Sequence, residues 1–158
     1  MGLCQTLGLS AADRDDAAAE TFAIAYRGLE HFRGDAELTT WLYRIAYRTA
    51  IKVRRRYTAR GTGGAGGVEG AEGMEREDVK GIGPGEMAEV HEGQAAVWAA
   101  VGKLEVEQAA VVEMFYRRGM GVEEVAKVLE KPVGTVKTLL FRARERLRFL
   151  LKGMEHRT

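Results

Sequence analysis

The side chains of this sequence best suited to binding or reaction are basic and aromatic. Lys137, Arg142 and Arg144 fall within PVGTVKTLLFRARERLRFLL, Pro132 to Leu151, with Gly134, Thr135 and Thr138 ahead of them and Phe141 among them. Ammonium and guanidinium groups suit phosphate oxygens, and Arg also suits the acceptor edge of guanine. Small residues at a helix start let its tip approach a duplex closely. A second set, Arg44, Arg48, Lys52 and Arg55, falls on one stripe at 100° per residue, with Trp41 at its border. Between Arg44 and Arg60 there are seven basic residues and no acidic one. Such a face repels itself, so a polyanion is its natural partner, and an indole beside it could stack on an unpaired base. A solvated face and a core indole are the ordinary alternatives.

Acid–base, nucleophilic and metal chemistry find no such grouping. His31, His91 and His156 lie in different segments, without carboxylates at a metal-ligand spacing. Asp15-Asp16 and Glu123-Glu124 are neighbours, and neighbours on a helix point about 100° apart. Cys4 is the one cysteine and has no evident base partner. The expectation is a chain that is not an enzyme, with no cofactor and no metal. The single cysteine and the absence of a signal-peptide pattern predict a cytoplasmic home. No apolar run approaches the roughly 20 residues that span a bilayer, so no membrane insertion is expected.

These groups need helices to hold them. In Pro132–Leu151, Val136, Leu140, Ala143, Leu147 and Leu150 recur at steps of four and three, which makes an apolar stripe opposite the basic residues. Upstream, Val122 to Leu129 predicts a shorter helix with Val122, Val125, Ala126 and Leu129 inward. Only Glu130 and Lys131 separate it from Pro132, so the two helices must cross steeply, as in a helix-turn-helix. A corner of a helical bundle has the same pattern.

Asp13 to Glu30 predicts a helix with Ala18, Phe22, Ala25 and Leu29 inward, and Thr40 to Tyr57 another, capped by Thr40, with Leu42, Ile45, Ala46, Thr49 and Val53 inward. Glu86 to Gly102 and Glu105 to Arg118 predict two more, the second with Val111, Val112 and Phe115 inward and Gly119 after its end. Met1 to Ala12 is too short and glycine-broken to predict a helix. Gly61 to Gly85, rich in glycine and acid, predicts a flexible linker. Net charge is only +1, yet it is segregated into basic, acidic and basic blocks. The fold class expected is therefore all-α: two small helical domains, 1–60 and 86–153, joined by a flexible linker at 61–85.

Asp13 to Ala50 and Leu104 to Leu147 resemble regions two and four of the extracytoplasmic-function (ECF) group of bacterial RNA polymerase sigma factors. GVEEVAKVL and PVGTVKTLLFRARERL carry the resemblance most specifically. It implies a dissociable, non-catalytic subunit that binds core RNA polymerase and promoter DNA, and that an anti-sigma factor holds inactive. Asp16, Glu20, Phe22 and Tyr26 match the DxxxETFxxxY stretch that docks on the polymerase clamp. Arg33, in the stretch from Phe32 to Ala36, matches the loop before the minus-ten-reading helix. Trp41, Arg44 and the run Arg54, Arg55, Arg56 match that helix, and Arg48 and Lys52 share its basic face. Gly134, Thr135, Lys137, Thr138, Phe141, Arg142 and Arg144 match the minus-thirty-five recognition helix.

The chain also departs from the pattern. Twelve residues precede Asp13 where a longer helix is usual, so either the start lies upstream of Met1 or region two is shortened at its start. Ala17, Ala18 and Ala19 replace larger residues, Arg48 stands where Asn is frequent, and Glu130 replaces a turn glycine. Leu139 and Phe141 stand where Arg and His are usual. Two further readings therefore stay open beside an active sigma factor: a sigma-like protein that binds polymerase or a regulator without opening promoters, and a stand-alone helix-turn-helix regulator.

Overall fold

The computed structural model describes residues 2–59 and 84–155. The linker expectation for 61–85 lies outside the described residues except for Pro84 and Gly85, which open a helix. The described residues form seven α-helices, a 3-10 turn and a π-helical turn, with no strand among them.

α1 (Gly2–Thr6) exists despite the expectation of none. A five-residue helix is too short to persist alone. It forms because Leu3, Cys4, Leu7 and Leu9 are buried in the core, and Gly8, at φ +74, turns the chain after it.

α2 (Ala11–Gly28) is capped by Ser10, whose Oγ accepts from the Asp13 N–H at 3.2 Å. Its buried residues are Ala17, Thr21 and Ala25. Of the predicted inward face, only Ala25 is buried: Phe22 is 66% exposed and Leu29 53%. The tight α2–α3 contact explains the difference. Small side chains let the helices approach, and a Cβ on Gly28 would lie 3.0 Å from the Trp41 ring. The alanines thus form the contact itself, and the large residues are left outside.

α3 (Leu38–Ala59) starts two residues before Thr40, which is buried in its first turn rather than capping it. Thr49, Ala50 and Val53 are buried, with Tyr43, Ala46, Tyr47 and Ile51 packed partly against the core. α4 (Pro84–Val101) leads through Leu104 into α5 (Val106–Val112). α5 runs on as a π turn, Glu113–Arg117, in which the Arg118 N–H reaches the Glu113 carbonyl at 3.2 Å. Gly119, at φ +65, closes it.

α6 (Val122–Leu129) and α7 (Val133–Glu155) are the two helices of the expected motif. The Glu124 carboxylate accepts the Gly121 N–H at 2.7 Å, which satisfies one free donor at the start of α6. The turn runs through Glu130 at φ 54, a left-handed conformation rarely taken by a residue with a Cβ. The Pro132 carbonyl then accepts from the Thr135 and Val136 N–H groups. Val136, Leu140 and Ala143 are buried, as the stripe predicted, with Leu147 and Leu150 packed at its margin.

The two units share one core, in which Leu3, Cys4 and Leu7 of α1 and Ala50 and Val53 of α3 join Val111, Met114, Val125 and Leu129. A link polar in kind runs beside it. Glu113 is wholly buried, and its Oε2 accepts from Thr6 Oγ1 at 2.9 Å and Arg117 Nη1 at 3.3 Å. Its Oε1 accepts no hydrogen bond among the described residues and lies 3.5 Å from Arg118 Nε.

Candidate nucleic-acid interface

α7 presents a basic, largely uncommitted surface. With Val136, Leu140 and Ala143 held inward, Gly134, Thr135, Lys137, Thr138, Phe141, Arg142 and Arg144 are all exposed. Lys137 and Arg142 form no ion pair among the described residues. The Thr138 hydroxyl donates back to the Gly134 carbonyl at 3.0 Å, which leaves its lone pairs facing out. A Cβ on Gly134 would meet nothing within 4 Å, so its smallness serves no packing inside this chain. Phe141 is 64% exposed at the middle of this surface.

Arg144 is positioned rather than free. Its Nε donates to the Tyr116 hydroxyl at 2.6 Å, and its guanidinium carbon lies 5.7 Å from that ring. Sequence reasoning missed Tyr116, because only the π turn swings it toward α7; an aromatic beside Phe115 was the one available signal.

The second surface lies at the start of α3. Trp41 packs against Phe32, with ring centroids 5.2 Å apart, and over Gly28. It is half-buried and lines an open cavity. A cavity of about 330 Å³ opens beside it, lined among others by Phe32, Arg33, Asp35, Trp41, Arg44 and Lys127. Arg33, Trp41 and Arg44, taken from separate sequence segments, are thus brought together.

The rest of the expected stripe is divided. Arg44 Nε donates to the Lys127 carbonyl of α6 at 3.0 Å. Arg48 pairs with Glu130, and Lys52 with Glu20. Arg54 turns to the Leu7 carbonyl and braces α1. Arg55 and Arg56 line a groove of about 510 Å³ between α3 and α6 with Tyr47, Arg48, Lys52 and Leu129. The absence of acid within α3 is therefore made good by carboxylates from elsewhere in the fold. Hydrogen bonding from Lys52 holds the Glu20 carboxyl below its usual range, and that from Arg48 does the same for Glu130. Burial pushes the Tyr47 phenol up to about 12, with the Glu107 carboxylate adding to the shift.

On α2, Phe22, Tyr26 and Leu29 stand on one exposed face, Tyr26 at 82%. Asp16 is exposed off that line, and Glu20 faces α3 through Lys52. The four residues of the DxxxETFxxxY match are thus not one patch. Among the described residues, no group of three or more His, Cys, Asp or Glu could hold a metal, and no helix is long and apolar enough to cross a membrane.

Residues 1–60 match the sigma-70 region 2 family and residues 94–147 the sigma-70 region 4 family. The chain is 35% identical over 150 residues to the RNA polymerase sigma-H factor of Pseudomonas aeruginosa, covering 92% of this chain and 76% of that protein. It is 31% identical over 140 residues to the ECF RNA polymerase sigma-E factor of Escherichia coli, covering 84% and 71%. The chain belongs to the ECF group of sigma-70 factors. As such it is an alternative sigma factor, which directs core RNA polymerase to promoters; sigma factors are initiation factors and not enzymes. The fold agrees with that of CnrH in complex with the cytosolic domain of CnrY, at TM-score 0.63 and 26% identity over 96% of this chain and 79% of that one. The sigma factor RpoE of Bartonella quintana, in complex with the anti-sigma factor NepR, shares the fold at TM-score 0.66 and 21% identity, over 96% and 88%. With the ECF assignment, α6 and α7 are the helix-turn-helix of region four, and α2 and α3 the body of region two.

Proposed function

We propose that residues 1–60 read and capture the minus-ten element while residues 86–153 place α7 in the major groove at the minus-thirty-five element. The observation that carries this reading is the division of α7: Val136, Leu140 and Ala143 fasten it to the core while Lys137, Thr138, Phe141 and Arg142 face outward. Gly134 and Thr135 stand at the helix tip, where a duplex approaches most closely. In region two, Trp41 and its open cavity suit a base taken from the stack, with Arg33 and Arg44 on its phosphates. The Phe22–Tyr26–Leu29 face is the docking surface for the polymerase clamp, because large apolar residues aligned and exposed on one helix need a partner. Asp16 acts at its margin, and Glu20 acts by bracing α2 to α3. The chain works in the cytoplasm and carries no catalysis of its own. It is held inactive by an anti-sigma factor that engages both units.

The test is transcription from genomic DNA fragments by core polymerase with and without the full chain, mapping 5′ ends. Discrete new starts sharing an upstream motif are expected. A second reading, a sigma-like binder that does not open promoters, is favoured by one observation, the commitment of Arg44, Arg48 and Lys52 to partners inside the protein. Polymerase binding without new starts would establish it in place of the first.

A further inference from the structure

Two charged residues from different units meet each other in space. Arg48 and Glu130 lie 82 residues apart in the chain, and their side chains form an ion pair. Glu130 adopts φ 54 and ψ 44, where glycine would be at ease and a residue with a Cβ is strained. Its side chain finds its hydrogen-bonded partner in the other unit.

Neighbouring geometry points the same way. The carbonyl end of α6 carries the negative end of the helix dipole, and Arg44 donates to the Lys127 carbonyl there. One turn along α3, Arg48 reaches Glu130 at the cap of the same helix. Between and behind these polar contacts, Tyr47 and Ile51 face Leu129 across the groove. Farther along the interface, Thr6 of α1 donates to the buried Glu113, and the Arg118 guanidinium lies 6.0 Å from the Tyr43 ring. The end of α6 thus offers α3 what a nucleic-acid backbone would offer, oxygens carrying negative charge at the spacing of successive arginines.

We propose that Arg48–Glu130 and Arg44–Lys127 form an intramolecular latch, by which region four occupies the minus-ten surface of region two and the chain holds itself closed without a partner. The proposal rests on α3 being the minus-ten surface. Arg48 cannot hold the Glu130 carboxylate and a phosphate at once, and α6 packs on this part of α3, so closure competes with promoter capture there. The open form binds better, and the apparent affinity falls as the closed fraction grows. Any partner that takes α3 or α6 in the open form shifts the same equilibrium. The side chains of the pair are 61% and 50% exposed, so its own contribution is modest. It tunes a closure that the shared apolar core maintains.

The experiment uses the full chain labelled with donor and acceptor dyes at Ala23→Cys and Lys103→Cys, exposed positions in region two and region four. Cys4, part of the core the two units share, is replaced by Ala so that only the two introduced thiols are labelled. Energy transfer reports closure, and fluorescence anisotropy of a random single-stranded 12-mer DNA reports the α3 surface. Glu130→Gln is expected to lower the closed-to-open ratio about two- to fivefold, the size of an exposed ion pair, and to strengthen 12-mer binding by up to the same factor. Arg48→Glu combined with Glu130→Arg is expected to restore closure. Glu130→Gly is expected to open the chain while leaving its melting temperature unchanged or higher, since glycine relieves the backbone; a merely structural role would move both downward together. Unchanged energy transfer in Glu130→Gln, or no recovery in the charge-reversed pair, would overturn the latch. Opening without any gain in 12-mer binding would leave the latch standing and overturn the assignment of α3 as the DNA surface.

Discussion

If α7 lies in the major groove as proposed, its exposed side chains divide into those that would attract DNA and those that would read it. Lys137 is exposed and without an ion-pair partner among the described residues, as a phosphate-binding ammonium requires. Lys137→Ala is expected to weaken duplex binding on all sequences. It should also lower the salt slope by about 0.9, the value of one neutralised phosphate, measured by anisotropy across a salt titration. Phe141 offers no hydrogen bond and is 64% exposed, so the readout open to it is apolar contact with a thymine methyl. Replacing each thymine of the minus-thirty-five duplex in turn by uracil removes one methyl, worth about 0.8 kcal/mol, roughly fourfold in affinity. One position is expected to show this weakening with the native chain and none with Phe141→Ala. Equal sensitivity in both proteins would remove Phe141 from the reading surface.

Among the elements, the π turn supplies a buried polar link between the units. It carries Glu113 into the core beneath α1, and a Cβ on Gly2 would lie 2.7 Å from Glu113 Oε1. Glu113→Ala leaves Arg117 and Arg118 facing a void without their carboxylate. The expected destabilisation is about 2–4 kcal/mol in urea denaturation, below the full cost of an isolated buried charge because both guanidiniums reach solvent. At the tip of α7, Gly134 is a helix residue with open space around its Cβ position. Gly134→Ala is expected to raise stability by up to about 1 kcal/mol on thermal melting, from helix propensity alone, and to weaken duplex binding. Improved stability with unchanged DNA affinity would place the duplex elsewhere.

For the molecule as a whole, closure depends on charge and therefore on pH. Hydrogen bonding from Arg48 holds the Glu130 carboxyl below its ordinary 4.5 in the closed form. The open form has no such partner, so it binds the proton more readily. Closure is accordingly favoured above the ordinary carboxylate range and weakens as pH falls through it. Energy transfer between the two units is expected to fall from pH 7 toward pH 4, and to fall less in Glu130→Gln. An identical decline in both would assign the effect to other carboxylates.

Local pattern alone was enough to establish that the chain is all-helical, where α6 and α7 turn, and which face of α7 is buried. These follow from periodicity and turn chemistry, which act within a few residues. Val136, Leu140 and Ala143 are at once a pattern and a buried face, with no tertiary information needed. That the α7 residues expected at DNA are exposed was legible for the same reason, since what is not inward on a straight helix faces out. Periodicity failed for α2, where close approach of two helices favours alanines over phenylalanine. It gave no sign of α1, whose helix exists only through the core it enters, or of the π turn that brings Tyr116 to Arg144. That the basic stripe of α3 has carboxylate partners in Glu20 and Glu130 emerged only from the folded arrangement. Ion pairs across 32 and 82 residues depend on where the chain returns, and no local pattern encodes that.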